Sequence, residues 1–140
     1  MIRYYDIEVS SKLREKRRLS SFLQDLVAEE LALKKINITY VFCNDEYLLD
    51  KNIQFLNHHT LTDIITFDLS ENNKELVAEI YISIPRVQEN AKKFEVSYLN
   101  ELHRVIFHGC LHLCGYKDKS KEQKEEMRKM ENQCLTQYFS

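Results

Sequence analysis

Thr62-Asp-Ile-Ile-Thr-Phe-Asp68, a charged turn from Ser70 to Glu75, and Leu76-Val-Ala-Glu-Ile-Tyr-Ile-Ser-Ile84 read together as a β-hairpin. Both runs are rich in β-branched and aromatic residues, and Leu76, Ala78, Ile80, Ile82 and Ile84 alternate as one buried face of a strand requires. Pro85, the only proline, fits the first position of a following helix, where a missing N–H costs nothing, with Val87, Ala91 and Phe94 facing inward. Upstream, Asn57 to Leu61 is a polar loop, and Asn44-Asp-Glu46 supplies a cap and an acidic first turn for a helix carrying Leu49, Ile53 and Leu56. Ile36, Ile38, Tyr40 and Phe42 alternate as another strand. Ile2 to Val9 reads as the first strand, and Ser21-Phe-Leu-Gln24 as a capping box opening a helix with Phe22, Leu23, Leu26, Val27 and Leu31 on one side. Ser97 caps a later helix that buries Leu99, Leu102, Ile106 and Leu113, and a charged helix runs from about Ser120 to Tyr138. These elements predict an α+β fold, one domain over residues 1–140, with a mixed sheet of about four strands covered by about five helices.

Composition narrows the class of function. A chain of 140 residues is one ordinary domain, and 44% hydrophobic with 30% charged residues suits a globular protein. No run approaches the roughly 20 apolar residues of a membrane span, and no apolar signal region opens the chain, so a cytoplasmic location is expected. The four cysteines should then stay reduced. With a net charge of −2 the chain lacks the overall basic footprint of a nucleic-acid binder, so any RNA contact rests on local patches. Lys12-Leu-Arg-Glu-Lys-Arg-Arg18 is the densest, and Lys117, Lys119 and Lys121 form another.

The second of these patches borders the most informative motif. Gly109 and Gly115 are the only glycines, and both lie in His108-Gly-Cys-Leu-His112-Leu-Cys-Gly115-Tyr-Lys-Asp118. Residues four apart on a helix differ by only about 40° and about 6 Å of rise, so His108 and His112 project from one face, on a stripe shared with Glu101 and Arg104. Gly115 can take positive φ, end the helix and return Asp118 as a third ligand. Two imidazoles and a carboxylate suit Zn2+, with a fourth tetrahedral position left for water. Cys110 is turned about 200° from His108, so it and Cys114 behave as small apolar groups outside the metal shell.

The spacing is similar to that of metzincin proteases, but those carry a glutamate general base where this chain has Gly109. Peptide hydrolysis would require Glu79 or Glu101 to take that role. With glycine at that position, His108-Gly-Cys-Leu-His-Leu-Cys-Gly-Tyr116 resembles the signature of the YbeY family, as do Thr62-Asp-Ile-Ile-Thr-Phe67, Ala78-Glu-Ile-Tyr-Ile82, Leu56-Asn57 and Glu101-Leu102. The resemblance covers nearly the whole chain. It implies a single-strand-specific, metal-dependent endoribonuclease acting in ribosomal RNA maturation, at the 3′ end of 16S RNA, and in ribosome quality control. The implied partners are single-stranded RNA and the ribosome or its small subunit.

The chain departs from that family at two places. Asp118 stands where most members have a third histidine, and a carboxylate makes the ion a weaker Lewis acid and widens the choice of metal. Members usually carry an arginine in the loop before the Thr-Asp strand, whereas this loop reads Asn57-His58-His59-Thr60-Leu61 and no arginine occurs between Arg18 and Arg86. His58, His59 or Arg104 are the candidates to supply the missing positive or proton-donating group. Two rival readings remain: a ribosome-associated RNA-binding factor with a structural metal, and a metzincin-like hydrolase of another substrate.

Overall fold

The computed structural model describes residues 1–56 and 62–140, so His58 and His59 lie outside the described residues. Strands β1 (Ile2–Asp6), β2 (Lys35–Cys43), β3 (Ile64–Asp68) and β4 (Glu75–Ser83) form one sheet in the order β1-β2-β4-β3. β1 and β4 both run parallel to β2, and β3 runs antiparallel to β4. The hairpin therefore forms as the sequence indicates, with Ile64 opposite Ile82 and Thr66 opposite Ile80, and the sheet is mixed.

Among the described residues, five helices accompany the strands: α1 (Lys16–Leu31), α2 (Asp45–Leu56), α3 (Ile84–Lys93), α4 (Tyr98–Leu113) and α5 (Lys121–Tyr138). Ile36, Ile38, Tyr40 and Phe42 of β2, with Leu76, Ala78, Ile80 and Ile82 of β4, present one face to α1, α3, α4 and α5 and make the main core. Val41, Cys43, Ile65 and Tyr81 occupy the opposite face with Leu48 of α2. The alternation that identified the strands thus also separates the two layers of packing.

Several local expectations need correction. α1 starts at Lys16, five residues before the capping box assigned to Ser21, and its flanking Glu15 is left-handed (φ 54°) with no side-chain cap. The extra turn buries Leu19 in register with Leu23 and Val27, and about 2 kcal/mol from burying a leucine outweighs about 1 kcal/mol from a cap. Arg18 secures this turn, its guanidinium lying 4.2 Å over the Tyr138 ring and donating to the Tyr138 carbonyl. β1 ends at Asp6, not Val9. α2 buries Leu48 and Asn52, one position round from Leu49 and Ile53, and Leu56 is exposed. Phe94 and Leu99, expected inside, are both exposed. The chain reverses at left-handed Glu95, turning Phe94 outward, and in the first turn of α4 it is Tyr98 that faces the protein, its hydroxyl donating to the Ser11 carbonyl at 2.7 Å.

The seating of α4 governs the site. Tyr40 of β2 donates its buried hydroxyl to the Ile106 carbonyl at 3.0 Å. One turn later, a Cβ placed on Gly109 would lie 3.0 Å from Ile64 Cδ1 and 3.1 Å from two carbons of Ile80. Glycine is therefore the residue that lets this helix rest on β3 and β4. Gly109→Val should destabilise the fold by about 3 kcal/mol, because overpacking a dense core forces backbone shifts. Equilibrium denaturation measures this, and wild-type stability in that variant would show that the contact is not limiting.

Candidate metal centre and active-site cleft

α4 is capped at its start by Ser97, whose side chain accepts from the Asn100 N–H, and it carries Glu101, Arg104, His108 and His112 along one stripe. Its end follows from Gly115. At φ 105° this residue lets its own N–H donate to the His112 carbonyl and the Tyr116 N–H donate to the Leu111 carbonyl, both at 3.1 Å, the paired bonds of a Schellman ending. The chain then doubles back, and Asp118 Oδ2 arrives 3.3 Å from His108 Nε2.

The other ring nitrogen of His108 is held from α5. His108 Nδ1 lies 2.7 Å from Glu131 Oε2, while Glu131 Oε1 accepts from Arg104 Nη1 at 3.0 Å. Arg104 Nη2 in turn donates to Asn132 Oδ1 at 2.9 Å. Glu131 is a buried carboxylate, and such a group is tolerated only when paired and hydrogen-bonded, as it is here on both oxygens. With Nδ1–H donating to Glu131, the tautomer is fixed and Nε2 faces Asp118.

These groups line a cleft of about 620 Å³ together with Asp63, Phe94, Lys124 and Arg128. Burial tends to lower the pKa of His108, but the Glu131 hydrogen bond and charge, with Asp118 and Asp63, outweigh it and hold the imidazole above its ordinary 6.5. Burial raises the Asp63 carboxyl, against an opposing pull from His108, and burial likewise raises Glu101, opposed by Arg104.

Each residue expected from the sequence can now be placed. His108, His112, Asp118, Arg104 and Glu101 line the same cleft. His58 falls outside the described residues. Glu79 is not a partner of this cleft: it projects from the opposite sheet face, where its carboxylate accepts from the Tyr81 hydroxyl at 3.0 Å. Cys110 is fully buried in the main core, its thiol raised well above its usual range by its hydrogen bond with Cys114 and by burial. Glu131 was missed, although a signal existed. It interrupts the inward stripe of α5 formed by Met127, Cys134, Leu135 and Tyr138, and a charged residue in an apolar stripe calls for a buried partner.

The chemistry of the donors fits a divalent ion. Two atoms bound to one tetrahedral zinc at about 2.1 Å stand roughly 3.4 Å apart, close to the separation of His108 Nε2 and Asp118 Oδ2. His112 is exposed on the same stripe. Among the described residues, no three His, Cys, Asp or Glu side chains are gathered closely enough to hold a metal ion, so the pair His108 and Asp118 carries the fit.

Fold and cleft together define a mixed-sheet α+β protein with a histidine–carboxylate cluster built from α4, the turn after it and α5. Residues 4–139 match the family described as Endoribonuclease YbeY, and the chain belongs to that family. Relatives of that name include one from Flavobacterium psychrophilum, 44% identical over 131 residues that span 94% of this chain and 92% of the relative. Another, from Flavobacterium johnsoniae, is 41% identical over 134 residues, 96% of this chain and 95% of the relative. The solution structure of TM1509 from Thermotoga maritima is similar with a TM-score of 0.64 at 29% identity, covering 99% of this chain and 91% of that one.

In metal-free protein the His108 ring should titrate above 6.5, and Glu131→Gln should draw its midpoint down. A raised histidine stabilises the fold fully below its unfolded pKa, and that contribution fades as pH climbs through the folded pKa. Glu131→Gln should therefore cost more stability near pH 5.5 than near pH 8. Side-chain NMR of the imidazole and paired melts check both, and a wild-type midpoint below 6.5 would overturn the electrostatic account.

Proposed function

We propose that this chain is a metal-dependent endoribonuclease of single-stranded RNA, working in the cytoplasm on ribosomal RNA, with the small ribosomal subunit as its partner and Zn2+ held by His108, His112 and Asp118. The observation that carries the reading is the doubly anchored imidazole of His108, fixed through Nδ1 by Glu131 with Nε2 3.3 Å from Asp118, inside a cleft that also holds cations. Family membership supplies the substrate class, and no described helix is long and apolar enough to cross a membrane.

When bound, such an ion lowers the pKa of water and polarises a phosphoryl oxygen. The residues of the chain do the rest. Glu131 holds the His108 ring in the tautomer that offers Nε2 as a ligand, and the Arg104 hydrogen bond orients Glu131. Arg104 therefore acts through Glu131, its guanidinium being engaged by Glu131 and Asn132. Asp63, whose carboxyl is raised by burial and lies within reach of the His108 charge, takes the proton from the attacking water and returns one to the departing ribose oxygen. Ile64, Val105 and Met127 supply the apolar part of the cleft wall.

Purified, zinc-reconstituted protein should cut a single-stranded ribosomal RNA fragment, whereas a His108→Ala/His112→Ala variant prepared alongside should not. Asp118→Ala should keep its fold and lose metal by elemental analysis. Equal cleavage by wild type and the double variant would assign the activity to a contaminant and favour a ribosome-bound factor whose metal is structural. Products ending in 2′,3′-cyclic phosphate would replace hydrolysis by internal attack of the 2′-hydroxyl.

A further inference from the structure

Resting on the endoribonuclease reading of this cleft, we infer that the RNA strand leaves it along α5, its phosphates on Lys121, Lys124 and Arg128 and one unpaired base stacked on Phe94. On a helix these three cations recur at i, i+3 and i+7, which places them within about 60° of one another with rises of about 4.5 and about 6 Å between neighbours. They line a surface groove of about 500 Å³ whose fourth wall is Glu125. Lys124 and Arg128 also line the main cleft, so groove and cleft are continuous. Arg128 lies 3.9 Å from Glu131 yet keeps 56% of its side chain exposed, and both lysines are exposed.

This cationic track stands out on a chain whose net charge is −2. Phosphates are its natural occupant, because charged contacts to the backbone supply most sequence-independent affinity for nucleic acid. The second observation is aromatic. Phe94 is 51% exposed although it lines the cleft, and Lys93 Nζ sits 5.6 Å over its ring. A solvent-facing ring beside a row of cations is the pairing used for single strands, where bases stack and the backbone follows the positive groove. An acidic peptide would use the cations but brings no base to stack on the ring.

Binding is measured by fluorescence anisotropy on the protein as purified, using a labelled 2′-O-methyl phosphorothioate oligoribonucleotide whose integrity is confirmed on a gel. Each phosphate neutralised on a single strand contributes about −0.7 to the slope of log affinity against log salt. Lys121→Ala/Lys124→Ala/Arg128→Ala should therefore flatten the slope by about two units. Phe94→Ala should weaken binding about tenfold at unchanged slope, and Phe94→Tyr should restore it. Circular dichroism confirms that these surface variants are folded. An unchanged slope in the triple variant overturns the track while leaving the nuclease reading intact, provided wild type still cuts RNA. Unchanged affinity in Phe94→Ala overturns the stacking site. If wild type neither binds nor cuts, both this inference and the reading beneath it fall.

Discussion

The close approach of α4 to the sheet at Gly109 is the constraint on which the functional geometry depends. A helix packs on a sheet at a distance set by its bulkiest contact residue, and here the contact residue has no side chain. Ile64 and Ile80 fill the space from below, and the Tyr40 hydroxyl ties the preceding turn to β2. With the axis fixed so near the strands, the residue beside Gly109 cannot point at solvent alone. His108 is drawn half under the surface, where Glu131 on α5 and Asp118 beyond the helix end can reach it from two sides. The position occupied by a catalytic glutamate in zinc proteases is thus spent on packing, and proton transfer has to come from another element.

That element is best sought among the carboxylates of the cleft, which sit in different surroundings. Glu131 is buried but doubly hydrogen-bonded, with Arg104 on one oxygen and His108 on the other, so its charge is compensated. Asp63 and Glu101 are desolvated with weaker compensation, and their pKa values rise. A carboxyl raised by desolvation is placed to move protons, whereas one locked between two hydrogen bonds orients its neighbours. The Arg104–Glu131–His108 chain is costly to desolvate, and removing Glu131, its bridging member, would strip Arg104 and His108 of their shared partner. Its benefit is a histidine with a single orientation.

Much of this was legible in the sequence because it rests on local rules. Period-two alternation located β2 and β4, helical spacing placed His108 and His112 on the stripe of Glu101 and Arg104, and the positive φ of Gly115 explains the chain reversal before Asp118. What was misread depended on distant partners. The start of α1 is decided by burial of Leu19 and by Arg18 reaching Tyr138, 120 positions away, against a plausible cap at Ser21. Phe94 and Leu99 have the right chemistry for a core, but the turn at Glu95 leaves them uncovered. Glu131 lies 23 positions from His108, and only its intrusion into the apolar stripe of α5 hints at a buried role.

The remaining asymmetry of the cleft follows from Asp118. Its carboxylate joins Asp63 and Glu101 on the lining, so acidic groups gather at the floor of the cleft. Arg104 does little to offset this, because Glu131 already neutralises it. Lys124 and Arg128, with Lys117, Lys119 and Lys121 beyond them, stand on exposed positions near the mouth. Their attraction is screened within about 8 Å at physiological salt, short enough to act at the rim without cancelling the floor. The cations of α5 thus stand at the rim, and the acidic groups lie deeper in the cleft.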